Sequence, residues 1–224
     1  MENKLNSINI NGMGTYPGGE FNKVSISGNG KIHGNIICNK FSVSGNGIVT
    51  GNIDSEKFST SGNCKIEGDI NSKELNTSGS LKCLKSINSD KVNVSGVLKV
   101  LSDIECEDVY IDGVINCGGF LNCENFDLRI EGKSTIDEIG ASTVNISYER
   151  RLLQSIFNLL IPKKLYRLTV NSIEGDNIQL ENSYVKIIRG KNIKIGSDCN
   201  IDTIEYSGTI EVDDRSKVKN INKI

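Results

Sequence analysis

Six glycines recur at intervals of 17 residues along this 224-residue chain, with no slip in the spacing. They are Gly28, Gly45, Gly62, Gly79, Gly96 and Gly113. A fixed period of this length is typical of a solenoid, in which one small unit repeats and each copy stacks on its neighbours. The period therefore predicts stacked coils, which offer faces and ends for binding rather than a deep pocket.

Apolar and polar residues alternate in three short groups within each 17-residue unit. In the unit that starts at Val24, the apolar positions are Val24 and Ile26, then Ile32, and then Ile36. An alternation of period two predicts half-buried β-strands, and three strands per unit predict a three-sided coil. The glycine after the first strand is expected to permit a positive φ at the bend. A helical unit is disfavoured because each unit has a central glycine and several Ser, Asn and Asp residues.

The regularity of the pattern divides the chain into three parts. Residues 5–147 fit about seven coils, residues 149–162 break the pattern, and residues 168–224 resume a looser alternation. The expected fold is therefore an all-β, three-sided parallel β-helix that is interrupted by one short amphipathic α-helix. The spacing alone does not give the handedness of this β-helix, although parallel crossover connections are right-handed by strong default.

The break at residues 149–162 has apolar residues three and four positions apart, followed by Pro162, and this pattern predicts a short amphipathic helix. Its apolar residues are Leu152, Leu153, Ile156, Phe157 and Leu160. Basic residues flank it on both sides. Three roles remain open: the helix packs on the solenoid itself, it docks into a groove of a partner, or it lies on an anionic membrane.

Composition argues against several classes of partner and location. The formal net charge is −2, which does not indicate a nucleic-acid-binding protein. No signal peptide is visible at the first residues, and no apolar run approaches the ~20 residues of a membrane-spanning helix. We expect a cytoplasmic protein, with membrane association through the 149–161 helix as a minor alternative.

Seven cysteines are present, and five of them fall on the inward positions of the repeat. We expect reduced thiols that pack as small apolar groups. A zinc site is disfavoured because the chain has no Cys-x-x-Cys pair. No metal ligand is therefore predicted.

The sequence offers no recognisable catalytic constellation. Its one histidine, His33, lies at an outward position, where a β-helix acyltransferase would be the enzymatic alternative. Those enzymes have strict six-residue repeats, which this chain lacks. No carboxylate pair, phosphate-binding loop or catalytic triad is evident. We therefore predict a non-enzymatic protein without a cofactor.

The repeat that begins Val24-Ser-Ile-Ser-Gly28-Asn-Gly30 resembles the bactofilins, which are polymer-forming bacterial cytoskeletal proteins. The resemblance covers residues 5–147 well and residues 168–224 more loosely, as in a longer and divergent member of the family. It implies a right-handed triangular β-helix that assembles end to end into filaments without nucleotide. It also implies a scaffold that organises other proteins in cell shape or motility.

The expected polymer interface lies at the two ends of the solenoid, because terminal coils expose unpaired strand edges and the end of the apolar core. The residues assigned to it are Ile8, Ile10, Val24 and Ile26 at one end and Ile210 and Val212 at the other. Expected partners are further copies of the chain, a related bactofilin or another scaffolded protein. The alternative is an adaptor that does not polymerise and recruits a partner or a membrane through helix 149–161.

Overall fold

A computed structural model describes residues 5–148 and 166–224. The chain forms two compact units, Met1–Asp108 and Val109–Ile224. Among the described residues every regular element is a β-strand, and all the strand pairs described below are parallel. This arrangement confirms the parallel β-solenoid predicted from the repeat.

From residue 5 onward, the first unit contains ten complete strands and the start of an eleventh. They are β1 (Ser7–Ile10), β2 (Met13–Ile26), β3 (Asn29–Val43), β4 (Asn46–Val49), β5 (Ile53–Thr60), β6 (Asn63–Ile66), β7 (Ile70–Thr77), β8 (Ser80–Cys83), β9 (Ile87–Val94) and β10 (Val97–Val100). Strand β11 (Ile104–Ile130) begins in this unit and continues into the second. Each regular coil thus contributes one long and one short strand.

Successive coils of the first unit pair in three segments, which confirms the three-sided coil. Residues 36–38 pair with 53–55 and residues 40–43 pair with 57–60, so the ladder skips one residue at the corner between them. Residues 29–32 pair with 46–49 in the third segment. Each residue in these three segments therefore stacks on its equivalent 17 positions away, and the core is built from ladders of like residues.

The inward positions of these ladders are the apolar positions of the repeat. Phe41 and Phe58 are fully buried, and their rings stack with centroids 5.1 Å apart and an interplanar angle of 21°. Ile36, Ile53 and Ile70 form a neighbouring ladder of fully buried side chains. The period-two alternation thus correctly identified which side chains form the core.

The periodic glycines have a different physical cause from the one expected. None of Gly28, Gly45 and Gly62 has a positive φ. Instead, a Cβ at Gly62 would overlap the carbonyl oxygen of Gly45 in the preceding coil, and a Cβ at Gly45 would overlap that of Gly28. The corner glycines from Gly28 to Gly96 are needed because the backbones of adjacent coils approach each other closely there.

In residues 109–148 and 166–224, the second unit continues β11 with five further strands. They are β12 (Ser134–Ser147), β13 (Leu168–Leu180), β14 (Ser183–Ile195), β15 (Asn200–Val212) and β16 (Lys217–Lys223). Each of these strands pairs with the next along the chain. The inward side chains of β13 and β14, such as Val170, Ile178 and Ile193, are buried.

Strands β12 and β13 are direct neighbours although a long segment separates them in the chain. Ser134 pairs with Leu168 and Ile146 pairs with Leu180. The rings of Tyr148 and Tyr166 lie 5.9 Å apart where the described chain stops and resumes, and the Tyr148 amide donates a 3.1 Å hydrogen bond to the Glu181 carboxylate. The ladder therefore continues from one coil to the next across the break.

The expected interruption of the solenoid by an α-helix requires correction. The structure is all-β throughout residues 5–148 and 166–224, with no helix in either range. The segment assigned to the helix, residues 149–162, lies outside the described residues. Its i, i+4 spacing is a local signal over a short apolar run, and such runs do not distinguish a helix from other buried structure. The division of the chain into three parts and the handedness of the coils stay predictions.

Candidate assembly surfaces at the terminal coils

The N-terminal coil is paired on one side only among the described residues. Strand β1 pairs with residues 23–26 of β2, and the part of β2 from Met13 to Phe21 pairs with β3. The other edge of both segments carries no described strand. Backbone N–H and C=O groups on such an edge form a template for pairing with another chain.

The apolar core is partly uncovered at this end. Tyr16 occupies the same ladder position as Ile32 in the next coil, yet Tyr16 is 39% exposed and Ile32 is fully buried. Ile8 is half-buried although its partner Val24 is fully buried. The difference arises because no described coil lies beyond Tyr16 and Ile8.

The four residues assigned to this end from the sequence do not lie in one layer. Ile8 and Ile10 belong to the terminal coil, and Ile10 is nearly fully buried there. Val24 and Ile26 lie one coil further in, fully buried beneath β1. Tyr16 and Phe21 complete the terminal layer, and continuing the repeat upstream of Val24 would have identified both.

The C-terminal coil is open in the same way. Strand β16 pairs with β15, and residues 209–212 pair with β14, each on one side only among the described residues. Ile221 stacks on Ile204, but Ile221 is 47% exposed while Ile204 is fully buried. Ile210 is half-buried and Val212 is exposed, so both predicted residues lie at this end. The sequence analysis did not assign Ile221 to this end, although Ile221 lies 17 residues after Ile204 and so follows the repeat.

Charged groups distinguish the two ends. The N-terminal coil, residues 7–22, contains one charged residue, Glu20. The C-terminal coil carries several, and Asp213 accepts hydrogen bonds of 2.8–2.9 Å from the Arg215 guanidinium and from the Arg215 backbone amide. These hydrogen bonds, together with the Arg215 charge, lower the pKa of Asp213 to about 2. The ion pair fixes the turn that leads into β16.

Two further ion pairs hold the C-terminal coil against the coil below it. Lys219 pairs with Asp202 at 2.6 Å, and Lys194 pairs with Glu211 at 3.8 Å. All four side chains lie on outward positions of the ladder. Exposed pairs of this kind contribute little stability individually.

Side chains with catalytic potential are dispersed. His33 is exposed on the surface of the first unit, and all seven cysteines are free thiols. Burial raises the pKa of Cys38, Cys83 and Cys199 to about 11, which leaves these thiols protonated and unreactive at neutral pH. No group of three His, Cys, Asp or Glu side chains that could hold a metal ion occurs in residues 5–148 and 166–224.

The helix residues assigned to partner or membrane binding lie outside the described residues. They are Leu152, Leu153, Ile156, Phe157 and Leu160. Within the ranges that the structure describes, no helix is long and apolar enough to span a bilayer.

Comparison with known proteins finds a family match for the N-terminal part. Residues 6–84 match the bactofilin family model, which is described as polymer-forming cytoskeletal. This segment includes the whole N-terminal coil and the most regular repeats. The family is a structural one.

Two curated relatives from Bacillus subtilis (strain 168) are similar to part of the chain. YhbF is 37% identical over 91 residues, which cover 41% of this chain and 35% of the relative. YhbE is 36% identical over 93 residues, which cover 42% of this chain and 38% of the relative. Both are described as uncharacterized proteins, and the chain spans little more than a third of their length.

No solved structure matches the chain. The similarity to bactofilins therefore rests on the sequence match and on the repeat, and the solenoid described above agrees with both. Residues 6–84 match the bactofilin family model, as the resemblance of the 17-residue repeat predicted.

Proposed function

We propose that this protein is a cytoskeletal scaffold that assembles end to end through its terminal coils without nucleotide. The observation that carries the proposal is the exposure of core-ladder residues at both ends. Ile221 at the C-terminal end and Tyr16 at the N-terminal end are exposed where their neighbours one coil inward are buried. The match of residues 6–84 to a polymer-forming family supports the same function.

The spacing of inward residues supports a head-to-tail contact. In the N-terminal coil the inward positions are Ile8 and Ile10, then Gly14 and Tyr16, and then Gly19 and Phe21. In the C-terminal coil they are Ile210 and Val212, then Ser216 and Val218, and then Ile221 and Lys223. The steps between the three pairs are the same in both coils. One copy stacked on another would therefore continue all three ladders.

Complementary shapes favour this register. Ile8 would face Ile210, and Tyr16 would face Val218, so that apolar side chains meet at two of the three sides. At the third side the exposed Ile221 would face Gly19, which has no side chain. Burial of apolar surface stabilises such a contact by about 25 cal/mol per Å².

A head-to-tail contact leaves a free end on each copy, and repetition of the contact gives an open filament. The association is driven by strand pairing and apolar burial, so it needs no nucleotide hydrolysis. In the cytoplasm such a filament would provide a surface on which other proteins are organised, as in the control of cell shape or motility. Its partners are further copies of this chain, related bactofilins and the proteins that the filament positions.

Assembly of the full chain without nucleotide tests the proposal. Light scattering should rise with protein concentration, and negative-stain electron microscopy should show unbranched filaments. Ile221→Lys should abolish growth, because it places a charge in the apolar contact. Asn222→Lys is the matched control, since Asn222 is the exposed neighbour on the same strand, and it should leave growth intact.

Circular dichroism of each variant checks that the solenoid remains folded. Discrete particles of the unmodified chain at all concentrations would refute end-to-end assembly. Equal growth of Ile221→Lys and Asn222→Lys would refute the participation of the C-terminal coil. Growth that requires added nucleotide would refute the nucleotide-independent mechanism.

A further inference from the structure

An Asn-Gly pair lies at the first corner of the N-terminal coil. Asn11 and Gly12 form the turn between β1 and β2, and both are exposed. The chain has two other Asn-Gly pairs, residues 29–30 and 46–47, and these lie within strands β3 and β4. An asparagine that precedes a glycine is prone to intramolecular deamidation, because glycine has no side chain to hinder attack by its backbone nitrogen. The surroundings of each pair therefore decide which one reacts.

The backbone nitrogen of Gly12 is the attacking group of the first pair. Its N–H has no backbone acceptor among residues 5–148 and 166–224. At the equivalent corner one coil further on, the Gly28 amide donates to the Ile10 carbonyl at 3.1 Å. The Gly45 amide donates in the same way to the Ile26 carbonyl at 3.3 Å. Each acceptor belongs to the preceding coil, and no described coil precedes Gly12, so no such hydrogen bond restrains its nitrogen.

Ser27 contacts the group that would be attacked. Its hydroxyl donates a 3.0 Å hydrogen bond to the side-chain carbonyl oxygen of Asn11. A donor at this oxygen stabilises the negative charge that the oxygen acquires when a nucleophile adds to Cγ. The backbone of Ser27 is fixed by its own hydrogen bond of 2.9 Å to the Ile10 carbonyl. The turn therefore brings together a nucleophilic nitrogen, an electrophilic carbon and an oxyanion-stabilising hydroxyl.

The two other Asn-Gly pairs are held inside the ladder. The Asn46 carboxamide donates to the Asn29 side-chain oxygen at 2.8 Å. The Asn63 carboxamide donates to the Asn46 side-chain oxygen at 3.1 Å. Gly30 and Gly47 lie opposite each other in paired strands. Ring closure at either pair would require these contacts to break through a local opening of the coil, which slows the reaction.

We propose that Asn11 is a site of spontaneous deamidation, which irreversibly changes the N-terminal end of the protein. The Gly12 nitrogen bonds to Cγ of Asn11 and loses its proton, while the bond from Cγ to Nδ2 breaks and ammonia leaves. A water molecule then opens the resulting cyclic imide and leaves aspartate or isoaspartate at residue 11. Either product carries a carboxylate, so the N-terminal end gains a negative charge. Isoaspartate also adds a methylene group to the backbone.

The new carboxylate would weaken the head-to-tail contact, and this consequence rests on the proposed function. The register proposed above places Asn11 opposite Asp213. The turn at residues 213–215 carries two carboxylates and one guanidinium, so it would repel a further carboxylate. The Asn11 carboxamide can donate to such a carboxylate, and deamidation removes this donor. Ageing of the protein would thus limit the time for which its N-terminal end can assemble.

Peptide mapping of the aged full-length protein tests the chemistry independently of assembly. Trypsin separates the three Asn-Gly pairs into residues 5–23, 24–31 and 41–57. Mass spectrometry follows the replacement of NH2 by OH in each peptide, and fragmentation assigns the change to a residue. In the folded protein Asn11 should react at least about tenfold faster than Asn29 or Asn46. In protein aged in denaturant the three rates should agree within about threefold, because no coil then protects any pair.

Variants of the turn test the assigned roles. Ser27→Ala should slow the reaction of Asn11 about fivefold, because the hydrogen bond to the reacting carbonyl is lost. Ser44→Ala is the matched control, since it removes the equivalent hydroxyl one coil further on and should leave the rate unchanged. Gly12→Ala should also slow the reaction, because its methyl group hinders the attacking nitrogen. Equal rates for Ser27→Ala and Ser44→Ala would overturn the role of Ser27.

Light scattering of two variants at residue 11 tests the effect on assembly. Asn11→Asp copies a product of the reaction and should need an about threefold higher concentration to grow. Asn11→Ser introduces the residue found at the equivalent corner of the next coil, cannot deamidate, and should grow as the fresh protein does.

Three outcomes would count against these inferences, and they are distinguishable. Folded-state deamidation of Asn11 no faster than that of Asn29 and Asn46 would overturn the modification site. Equal growth of Asn11→Asp and Asn11→Ser would overturn its effect on assembly. A fresh, unmodified chain that never assembles would overturn the proposed function and that effect together, while peptide mapping would still decide the modification site.

Discussion

The carbonyl oxygen of Gly45 lies so close to Gly62 that a side chain at residue 62 would overlap it. The same contact recurs at Gly28, Gly79 and Gly96. Gly12, the equivalent residue of the N-terminal coil, has no heavy atom within 4 Å of the position a Cβ would occupy. Contact between adjacent coils therefore requires a glycine every 17 residues. No such contact requires a glycine at residue 12 of the N-terminal coil.

The contrast between Gly62 and Gly12 predicts different effects of alanine. Gly62→Ala should destabilise the protein by about 3 kcal/mol, because the added methyl group must push two backbones apart. Gly12→Ala should change stability by less than about 0.5 kcal/mol. Thermal unfolding followed by circular dichroism measures both. Equal unfolding temperatures for the two variants would contradict the close contact.

Head-to-tail assembly predicts a specific result when two end-blocked variants are mixed. Ile8→Lys should block the N-terminal end and Ile221→Lys the C-terminal end, so neither variant alone should associate. Their mixture should form heterodimers, because each variant retains the end that the other lacks. Analytical ultracentrifugation of the variants alone and mixed gives the answer. Dimers of each variant alone would show that like ends pair, and Asn9→Lys serves as the control for charge at the N-terminal end.

The ion pair in the turn before β16 predicts an acid-sensitive C-terminal coil. The pKa of Asp213 is lowered to about 2 by Arg215, so the folded coil favours the ionised carboxylate. The ionised Asp213 carboxylate stabilises the folded coil at pH values above 3.8, the ordinary pKa of this group. This stabilisation is lost as the pH falls towards 2. Cleavage of the terminal strand by pepsin, normalised to an unstructured peptide, should accelerate over this range.

Two variants isolate the contribution of Asp213. Asp213→Asn should show rapid cleavage at both ends of the pH range, because it has lost the charge-assisted hydrogen bonds. Asp214→Asn changes an adjacent exposed carboxylate and should behave as the unmodified protein. Identical pH profiles for all three proteins would exclude a role for the Asp213–Arg215 pair.

Buried thiols predict a loss of stability at alkaline pH. Burial raises the pKa of Cys83 from its ordinary value of 9.0 to about 11, because the thiolate is poorly solvated in the core. The folded state therefore holds the proton more tightly than the unfolded state. The proton on Cys83 therefore stabilises the folded state fully below pH 9.0, and this stabilisation is lost as the pH rises towards 11.

Unfolding temperatures measured across this alkaline range test the effect. The decline should be shallower for Cys83→Ala than for the unmodified protein, even though the variant is less stable at neutral pH because of its cavity. Parallel declines would show that Cys83 does not titrate on unfolding. In native protein at neutral pH, Cys83 should also resist modification by a disulfide reagent until denaturant is added.

Many features of the coils could be predicted from local alternation. The inward positions of Val24, Phe41 and Phe58 follow from period-two patterning, because a strand exposes alternate side chains to opposite faces. The resemblance to bactofilins also follows from these repeats and covers the segment that the family model matches. The i, i+4 spacing at residues 149–162 was a weaker basis for predicting a helix, because a short apolar run is compatible with either a helix or a strand.

The sequence by itself therefore determined the repeat, the strands and the identity of the buried ladders, since these depend on neighbours a few residues apart. The tertiary structure decided what depends on neighbours a full coil away. It placed the carbonyl oxygen of Gly45 where a side chain at residue 62 would lie, and it paired Ile146 with Leu180 across the break. It also left the side chains of Tyr16 and Ile221 exposed at the ends. It also aligned Lys65, Lys82 and Lys99 on one face, because only stacking converts a spacing of 17 residues into a distance of a few ångströms.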